Sequence, residues 1–276
     1  MIKSELDQFL NRRKENIAEL DRVQFPLNFV QEEKNWPQIN TKLSDIFLNE
    51  SDSKKIKILA EIKKKSPSLG ALSKVNALSL CESFLNDGAD AISVLVDNVN
   101  FGGLPEDLKV CAEAFKDVPF LYKDFVMSEY QVYLARVLGA SNVLLMTQVL
   151  EDNELSNLFE LSVSIGLEPF VEVHNANQLE RALNLSPKII GINARDFSSK
   201  GLPIDLCNAG KLLNNYIEDQ PWPDGCFLIA QSGIDSKESF QTVVDACPKK
   251  FPHAVQIGSS VSRSGSLPGW LFQKAI

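Results

Sequence analysis

Short apolar runs rich in β-branched residues recur along the whole chain and predict strands. Eight such runs occur, at residues 56–62, 91–96, 118–123, 142–146, 168–173, 188–193, 226–231 and 254–258. Most segments between them carry apolar residues at helical spacing, and several end in a glycine just before the next run, at Gly88, Gly139 and Gly166. Strands that alternate with helices predict a parallel sheet, and near-continuous apolar strands predict burial on both faces.

The number of strand–helix units favours a (β/α)8 barrel, the TIM barrel of the α/β class. At 276 residues the chain is long enough for such a barrel, which typically needs about 250. A doubly wound open sheet has the same alternation and is the alternative fold. No linker or low-complexity tract divides the sequence, so one barrel domain over residues 1–276 is expected.

Residues 1–50 precede the first predicted strand and do not fit the repeat. Their apolar residues lie near helical spacing among charged ones, at Leu6, Phe9, Leu10, Ile17 and Leu20. This pattern predicts an amphipathic helical extension that packs on the barrel. Covering apolar surface explains such a helix more simply than binding a partner protein does.

The composition is that of an ordinary globular protein, with 44% hydrophobic and 23% charged residues. No apolar run approaches the roughly 20 residues of a membrane span, and the start, MIKSELDQFL, is too polar for a secretory signal. A cytoplasmic protein without membrane contact is therefore expected. A net charge of -8 argues against nucleic acid as a partner but leaves room for a basic pocket that binds a small anion. The five cysteines show no CxxC spacing, which favours reduced thiols over a metal site or disulfides.

Polar residues stand at the carboxyl ends of several predicted strands, where a barrel of this kind has its chemistry. They are Glu61 and Lys63, Lys123 and Asp124, Glu172 and His174, Asn193 with Arg195 and Asp196, and Gln231 and Ser232. A charged residue at one strand end is most simply a solvated rim residue. Five strand ends that converge on one face indicate a functional site, and the amino ends are expected to carry nothing comparable.

Four charged residues of this set are candidates for catalysis. Glu61 and Lys63 share a strand face with Leu59, and because a buried ion pair contributes little to stability, a site role is favoured over a structural one. Lys123 interrupts an apolar strand, and a buried lysine readily loses its proton, which favours proton transfer. Glu172 is an inward carboxylate in an apolar strand and a candidate general base.

The remaining polar residues have simpler explanations. Asn193 either caps the end of its strand or points into the mouth of the barrel, at the carboxyl ends of the strands. His174 is interpreted as a supporting or structural residue. His253 follows Pro252 at the opposite end of its strand, where a structural role is expected.

Two loops rich in glycine and serine follow the last two predicted strands, with the sequences QSGIDS and IGSSVSRSG. In TIM barrels these loops frequently bind phosphate through backbone N–H groups, and small residues allow close approach. Gly233, Gly258 and Ser259 fit that role, with Ser66 arriving from the neighbouring first strand. The two loops together predict a phosphorylated small-molecule substrate.

Several long motifs resemble the indole-3-glycerol-phosphate synthase family of tryptophan biosynthesis. They are AEIKKKSPSLG, FLYKDFV, FVEVH, GINARDF and QIGSS, in the same order over nearly the whole chain from residue 56. The resemblance implies a TIM barrel with an N-terminal extension. It also implies a decarboxylating carbon–carbon lyase, which converts 1-(2-carboxyphenylamino)-1-deoxyribulose 5-phosphate to indole-3-glycerol phosphate without metal or cofactor.

The resemblance also implies individual roles. Lys123 would be the general acid of ring closure, Glu172 would transfer protons during dehydration, and Glu61 with Lys63 would orient this network. The substrate-binding residues would be Asn193 and Arg195 at the anthranilate end, Phe101 and Phe125 on the aromatic ring, and Ser66, Gln231, Ser232, Gly233, Gly258 and Ser259 elsewhere along the substrate. Contact with other enzymes of the tryptophan pathway is a further expectation.

The chain departs from the family at a few positions. Gln231 stands where the family has the glutamate of an ESG motif, and Val96 and Leu104 replace a threonine and a serine. The segment 196–205, which includes Lys200, looks longer than usual, and its glycine and serine content permits a mobile lid.

These departures keep other functions open. A weakened or silent paralogue that binds a phosphorylated ligand or a partner is the alternative, and Gln231 favours it. Two neighbouring barrels, phosphoribosylanthranilate isomerase and the tryptophan synthase α-subunit, are disfavoured by the combination of Lys63, Lys123 and Glu172.

Overall fold

Eight parallel strands close into a barrel in a computed structural model that describes residues 4–48, 55–66, 69–197, 199 and 201–272. The strands are β1 (Lys57–Ile62), β2 (Ala91–Leu95), β3 (Phe120–Lys123), β4 (Asn142–Met146), β5 (Glu168–Val173), β6 (Ile189–Asn193), β7 (Phe227–Gln231) and β8 (Ala254–Ile257). Because β1 pairs with both β2 and β8, the sheet has no edge. The predicted TIM barrel is confirmed, and the doubly wound alternative is wrong.

Among the described residues, two α-helices precede the barrel strands, and the others follow them in the predicted alternation. They are α1 (Glu5–Val23), α2 (Leu27–Gln31), α3 (Ala77–Asn86), α4 (Asn98–Phe101), α5 (Pro105–Ala114), α6 (Glu129–Val137), α7 (Asp152–Ser164), α8 (Ala176–Leu183), α9 (Asn208–Asp219), α10 (Lys237–Ala246) and α11 (Ser259–Ser264). Short 3-10 helices cover Glu33–Asn35, Leu43–Phe47 and Gly269–Phe272, and a small hairpin pairs Lys65–Ser66 with Gly70–Ala71. No helix in the described part of the chain is long and apolar enough to cross a bilayer.

An apolar floor fills the barrel below its carboxyl end. Leu59, Leu121 and Phe170 belong to the inner cluster, and each is at most 1% exposed. Because side chains alternate between the faces of a strand, the next inward residues along these strands are Glu61, Lys123 and Glu172. The alternation that buries the core therefore also places the polar residues above it.

The N-terminal helix α1 packs on the carboxyl side of the barrel. Its N-terminus is capped by Ser4. Its contact face buries Leu6 and Phe9, and Arg13 is fully buried beside Asp124, which directly follows β3. Arg13 Nε and Nη2 donate to the two carboxylate oxygens of Asp124 at 2.8 and 2.7 Å. The predicted extension is confirmed, and it is tied to the strand that carries Lys123.

Buried polar residues also lie at the opposite end of the barrel, so the expectation that nothing comparable stands there was wrong. Asn142 Oδ1 accepts from the backbone N–H of Leu43 at 3.0 Å, and Glu168 accepts from the N–H and hydroxyl of Ser44 at 2.9 and 2.6 Å. These residues cap the 3-10 helix that closes this end, because its first N–H groups need acceptors. His253 also lies at this end, where its Nδ1 accepts from the N–H of Leu228 at 2.9 Å.

Candidate active site

The carboxyl ends of the strands enclose a main cavity of about 340 Å³. Most residues predicted for the site line it, namely Glu61, Lys63, Ser66, Phe101, Lys123, Asn193, Arg195, Gln231, Ser232, Gly233, Gly258 and Ser259. Phe125 and Glu172 line an adjoining, mostly apolar cavity of about 40 Å³, here called the aromatic cavity, which shares Phe101, Lys123 and Asn193 with the main one. The fold thus brings the whole predicted set together.

Lys123 lies between two buried carboxylates where these cavities meet. Its Nζ is 3.5 Å from Glu172 Oε2 and 4.0 Å from Glu61 Oε2. Glu61 Oε1 in turn contacts the Nζ of Lys63 at 2.6 Å. Two ammonium groups and two carboxylates therefore alternate across the mouth of the barrel, an arrangement suited to moving protons.

Glu61 is held in its ionised form by this arrangement. Burial is the largest single influence on the pKa of Glu61 and raises it. The positive charges of Lys63 and Lys123, together with hydrogen bonds from Lys63 and Gln256, outweigh burial and hold that pKa below its ordinary value. Glu61 is therefore a fixed negative charge beside both lysines.

Asn193 fixes the orientation of Glu172. Its Nδ2 donates to Glu172 Oε1 at 2.9 Å, and its Oδ1 accepts from the N–H of Arg195 at 2.9 Å. One oxygen of Glu172 is thus occupied by an amide, which leaves the other directed toward Lys123. The structure places Asn193 in the mouth of the barrel rather than at a simple strand cap.

Arg195 and His174 occupy different positions around this strand end. Arg195 lines the main cavity, where burial lowers the pKa of its guanidinium and Glu61 partly offsets that effect. The Nδ1 of His174 lies 2.8 Å from the backbone oxygen of Asn193, and Asn208 donates to the same oxygen at 3.0 Å. His174 therefore lies against the backbone at the end of β6, in agreement with its interpretation as a supporting residue.

Aromatic rings line one side of the site. The ring centroids of Phe101 and Phe125 are 6.0 Å apart, and Phe9 of α1 lies 6.2 Å from Phe125 and 6.5 Å from Phe101. Phe197 meets Phe125 edge-on at 6.4 Å. Because flat apolar groups pack well against such rings, this side suits an aromatic ligand.

The loops after β7 and β8 line the opposite side. Ser232 and Gly233 adopt φ values of +70° and +77°, which turn the chain sharply after β7. A Cβ at Gly258 would overlap with the carboxylate of Glu61, so the glycine lets the β8 loop pass close over that side chain. Ser66 and Ser259 add hydroxyl groups to the same wall.

Among the lining residues that were missed from the sequence, Gln256 and Ser260 carry buried polar groups. Gln256 is the inward polar residue of the run AVQIG, and its amide lies between Glu61 and Gln231 at 2.6 Å from each. The polar interruption of an apolar strand that singled out Glu61 also marks Gln256. The hydroxyl of Ser260 is buried against the cavity and has no hydrogen-bond partner among the described residues.

The segment after β6 forms another wall. Arg195 and Ile204 form a β-bridge, and Arg195 Nη1 donates to the carbonyl of Leu202 at 3.1 Å. Leu202, Ile204 and Phe197 line the main cavity. Lys200 of this segment lies outside the described residues.

A larger cavity of about 530 Å³ lies away from this site, between residues 25–41 and helices α5 and α6. Its wall holds Trp36, Phe115 and a few surface lysines, and it includes none of the predicted site residues. Within the described ranges, no group of three or more His, Cys, Asp and Glu side chains is placed to hold a metal ion. The convergence of buried charges therefore singles out the barrel mouth.

Comparison with known proteins agrees with this geometry. A family model described as indole-3-glycerol phosphate synthase matches residues 6–268. The chain belongs to the indole-3-glycerol phosphate synthase family. A synthase of this name from Carboxydothermus hydrogenoformans is 32% identical over 262 residues, covering 94% of this chain and 95% of that protein. The Aquifex aeolicus synthase is 41% identical over 208 residues, covering 75% of this chain and 77% of that protein.

A solved structure outside the synthase family shares the barrel alone. The N-acetylmannosamine-6-phosphate 2-epimerase from Clostridium perfringens superposes with a TM-score of 0.55 at 12% identity, covering 77% of this chain and 90% of that one. At this identity the likeness concerns the fold and not the chemistry.

The three substitutions that the resemblance implied fall at unequal distances from the site. Val96 is buried but lines neither site cavity, and Leu104 is 41% exposed on the surface. Gln231 lines the main cavity and is hydrogen-bonded to Gln256. Of these three positions, only residue 231 lines the site.

Proposed function

We propose that this chain is an active indole-3-glycerol phosphate synthase that closes and decarboxylates 1-(2-carboxyphenylamino)-1-deoxyribulose 5-phosphate. The observation that carries the proposal is the Lys123 ammonium between the carboxylates of Glu61 and Glu172, where the aromatic and polar sides of the site meet. Membership of the family supports the same reaction.

The site has a complement for each part of this substrate. The phenyl ring packs against Phe101 and Phe125, and Arg195 with Asn193 receives the anthranilate end. The phosphate lies against the loops after β7 and β8, where Ser232, Gly233, Gly258 and Ser259 line the cavity together with Ser66. The carbonyl of the open-chain sugar then falls between these ends, beside Lys123.

Ring closure requires an acid at that carbonyl. As the aromatic carbon attacks the carbonyl carbon, Lys123 donates a proton to the oxygen, so a new carbon–carbon bond forms and the oxygen becomes a hydroxyl. Carbon dioxide then leaves from the same aromatic carbon, and the electron pair of the broken bond restores the aromaticity of the ring. The carboxylates of Glu61 and Glu172 hold the Nζ of Lys123 in position from two sides.

Dehydration requires a second acid and a base. Lys63, to which the resemblance gives an orienting role, has its Nζ 2.6 Å from Glu61 Oε1. In this proposal it also protonates the departing hydroxyl, which leaves as water. Glu172 accepts the ring proton that is lost as the indole forms, and Asn193 holds it in position. Each step is a proton transfer or a heterolytic bond change within the reach of these side chains.

Location and partners follow from the proposed substrate. A phosphorylated sugar does not cross a bilayer unaided, so we place the enzyme in the cytoplasm with its substrate. Contact with other enzymes of the tryptophan pathway stays a prediction, and co-purification from the native cell would test it.

The decisive test is turnover of the carboxyphenylamino-deoxyribulose phosphate by the purified protein, followed by indole fluorescence. The wild-type protein should form product, and Glu172→Gln should lose most of it, whereas Glu180→Gln on the exposed surface of α8 should not. Binding of substrate without turnover would support the silent barrel instead. If the purified protein neither binds the substrate nor turns it over, the proposed function is refuted.

A further inference from the structure

Three buried side chains from adjacent strands form a hydrogen-bond chain, here called the amide relay. Gln231 Nε2 of β7 donates to Gln256 Oε1 of β8 at 2.6 Å, and Gln256 Nε2 donates to Glu61 Oε2 of β1 at 2.6 Å. Gln231 and Gln256 are also direct partners in the β7–β8 register. All three side chains belong to residues that are at most 4% exposed.

The direction of the amide relay is fixed by chemistry. The ionised Glu61 carboxylate can only accept hydrogen bonds, so Gln256 must present its NH2 group to it. The carbonyl oxygen of Gln256 then faces β7, and residue 231 must supply a donor there. Gln231 does so with its own NH2 group, which no ionised carboxylate could.

Gln256 completes the set of contacts that hold Glu61. Oε1 of Glu61 contacts Lys63, while Oε2 accepts from Gln256 and faces Lys123 at 4.0 Å. Without Gln256, the second oxygen would keep only the longer contact to Lys123 among these partners. The carboxylate could then rotate away from the position that serves both lysines.

We propose that Gln256 is a positioning residue that fixes the Glu61 carboxylate between Lys63 and Lys123, and that Gln231 acts as the donor that orients Gln256. The catalytic part of this proposal rests on the proposed synthase function. The proposal also explains why position 231 holds a glutamine, because its NH2 group donates to the carbonyl oxygen of Gln256.

The surroundings of Gln231 support this pairing. Its Oε1 lies against Gly191 and the ring of Phe170, where a Cβ on residue 191 would overlap with both. That oxygen has no hydrogen-bond partner in the described part of the chain. A glutamate at position 231 would place its additional negative charge in this apolar corner, with the carbonyl oxygen of Gln256 on its other side.

The first test removes the middle of the amide relay with Gln256→Met, which keeps the length of the side chain. We expect kcat to fall about 10- to 100-fold with KM changed less than threefold, because a charged acceptor loses its donor. The acid limb of the kcat profile should also move to higher pH. Asn142→Leu, which removes buried hydrogen bonds at the opposite end of the barrel, should lower the melting temperature while kcat and its pH profile stay unchanged.

The second test makes the donor ionisable with Gln231→Glu. When protonated, Glu at position 231 can still donate to Gln256, so kcat of the variant should approach the wild-type value at low pH. Ionisation removes the donor, and kcat relative to wild type should fall as the pH rises. A relative kcat that is unchanged or higher throughout, together with an unaffected Gln256→Met, would overturn the proposal.

A third readout does not depend on turnover. The free energy of unfolding of Gln231→Glu, measured relative to wild type, should fall as the pH rises above about 4.3, because the folded state holds that proton more tightly than the unfolded chain. Combining this substitution with Gln256→Met should change that pH dependence. If the two substitutions affect the free energy of unfolding independently, the amide relay is refuted, even if the wild-type protein proves inactive. If their effects are coupled but the wild-type protein is inactive, only the synthase function is refuted.

Discussion

Lys123 is the residue on which the proposed reaction depends most. Replacing it by methionine keeps the length and removes the ammonium, so the carbonyl loses its acid. We expect Lys123→Met to lower kcat by about 100- to 10,000-fold with little change in substrate affinity. The same substitution at Lys188, which is exposed just before β6, is the matched control and should leave kcat unchanged. Near-normal turnover by Lys123→Met would exclude this lysine as the general acid.

Gly191 allows close packing beneath the site, and its substitution tests that packing. Because a Cβ there would overlap with Phe170 and with Gln231 Oε1, Gly191→Ala should displace both side chains. We expect a loss of about 1–3 kcal/mol in the free energy of unfolding and a lower kcat, measured by urea denaturation and by turnover. Gly269→Ala, where a Cβ meets nothing within 4 Å, should change neither quantity. Equal behaviour of the two variants would contradict the packing described for Gly191.

The residues that sequence reasoning found and missed differ in charge more than in position. Glu61, Lys123 and Glu172 stood out because a charge inside an apolar strand has few structural explanations. Gln256 interrupts its strand in the same way, yet a neutral amide attracts less notice. Its role depends on which neighbours its two ends face, and only the register of β7, β8 and β1 reveals that.

At the scale of elements, α1 is more than a cover for apolar surface. Its Arg13 forms a bidentate ion pair with Asp124, which also accepts hydrogen bonds from Tyr122 and Gln131 at 2.8 and 2.9 Å. The apolar spacing of the helix predicted its packing, but the spacing could not show that a buried arginine joins it to the strand of Lys123. Long-range pairs of this kind leave no local pattern in a sequence.

Arg13→Leu should therefore destabilise the protein strongly. The substitution leaves the Asp124 carboxylate buried without its cation, which costs about 3–5 kcal/mol in the free energy of unfolding. Arg12→Leu, on the exposed side of the same helix, should cost less than about 0.5 kcal/mol. Urea denaturation of both variants provides the comparison, and similar losses would show that the ion pair is not the source of the stability.

Strand boundaries were predictable to within two residues, and the largest shift has a plain cause. The run 118–123 becomes a strand only from Phe120, because Pro119 has no N–H to donate to a neighbouring strand. The buried polar residues at the amino end were not anticipated. Asn142 and Glu168 serve the 3-10 helix Leu43–Phe47, whose return to the barrel is not visible in local periodicity.

At the scale of the whole molecule, His253 makes stability depend on pH. Burial lowers the pKa of His253 from 6.5 to about 4, so between these values the unfolded chain binds a proton that the folded protein does not. The free energy of unfolding should fall by about 3 kcal/mol as the pH drops from 6.5 to 4.

Chemical denaturation across this pH range, with the variant His253→Asn beside the wild type, checks this expectation. Asparagine can still accept from the N–H of Leu228 but does not titrate, so the fall should become shallower in that variant. An equally steep fall in His253→Asn would mean that other groups cause the acid sensitivity.

The closure of the barrel between β1 and β8 also governs when the protein becomes an enzyme. Glu61 lies in the first strand, and Gln256, which orients it, lies 195 positions later in the last. A refolding chain with an open barrel keeps Glu61 in water, without the environment that sets its charge and orientation. During refolding, turnover should therefore return only when β1 pairs with β8. The rate at which activity recovers then measures the rate of this last folding step.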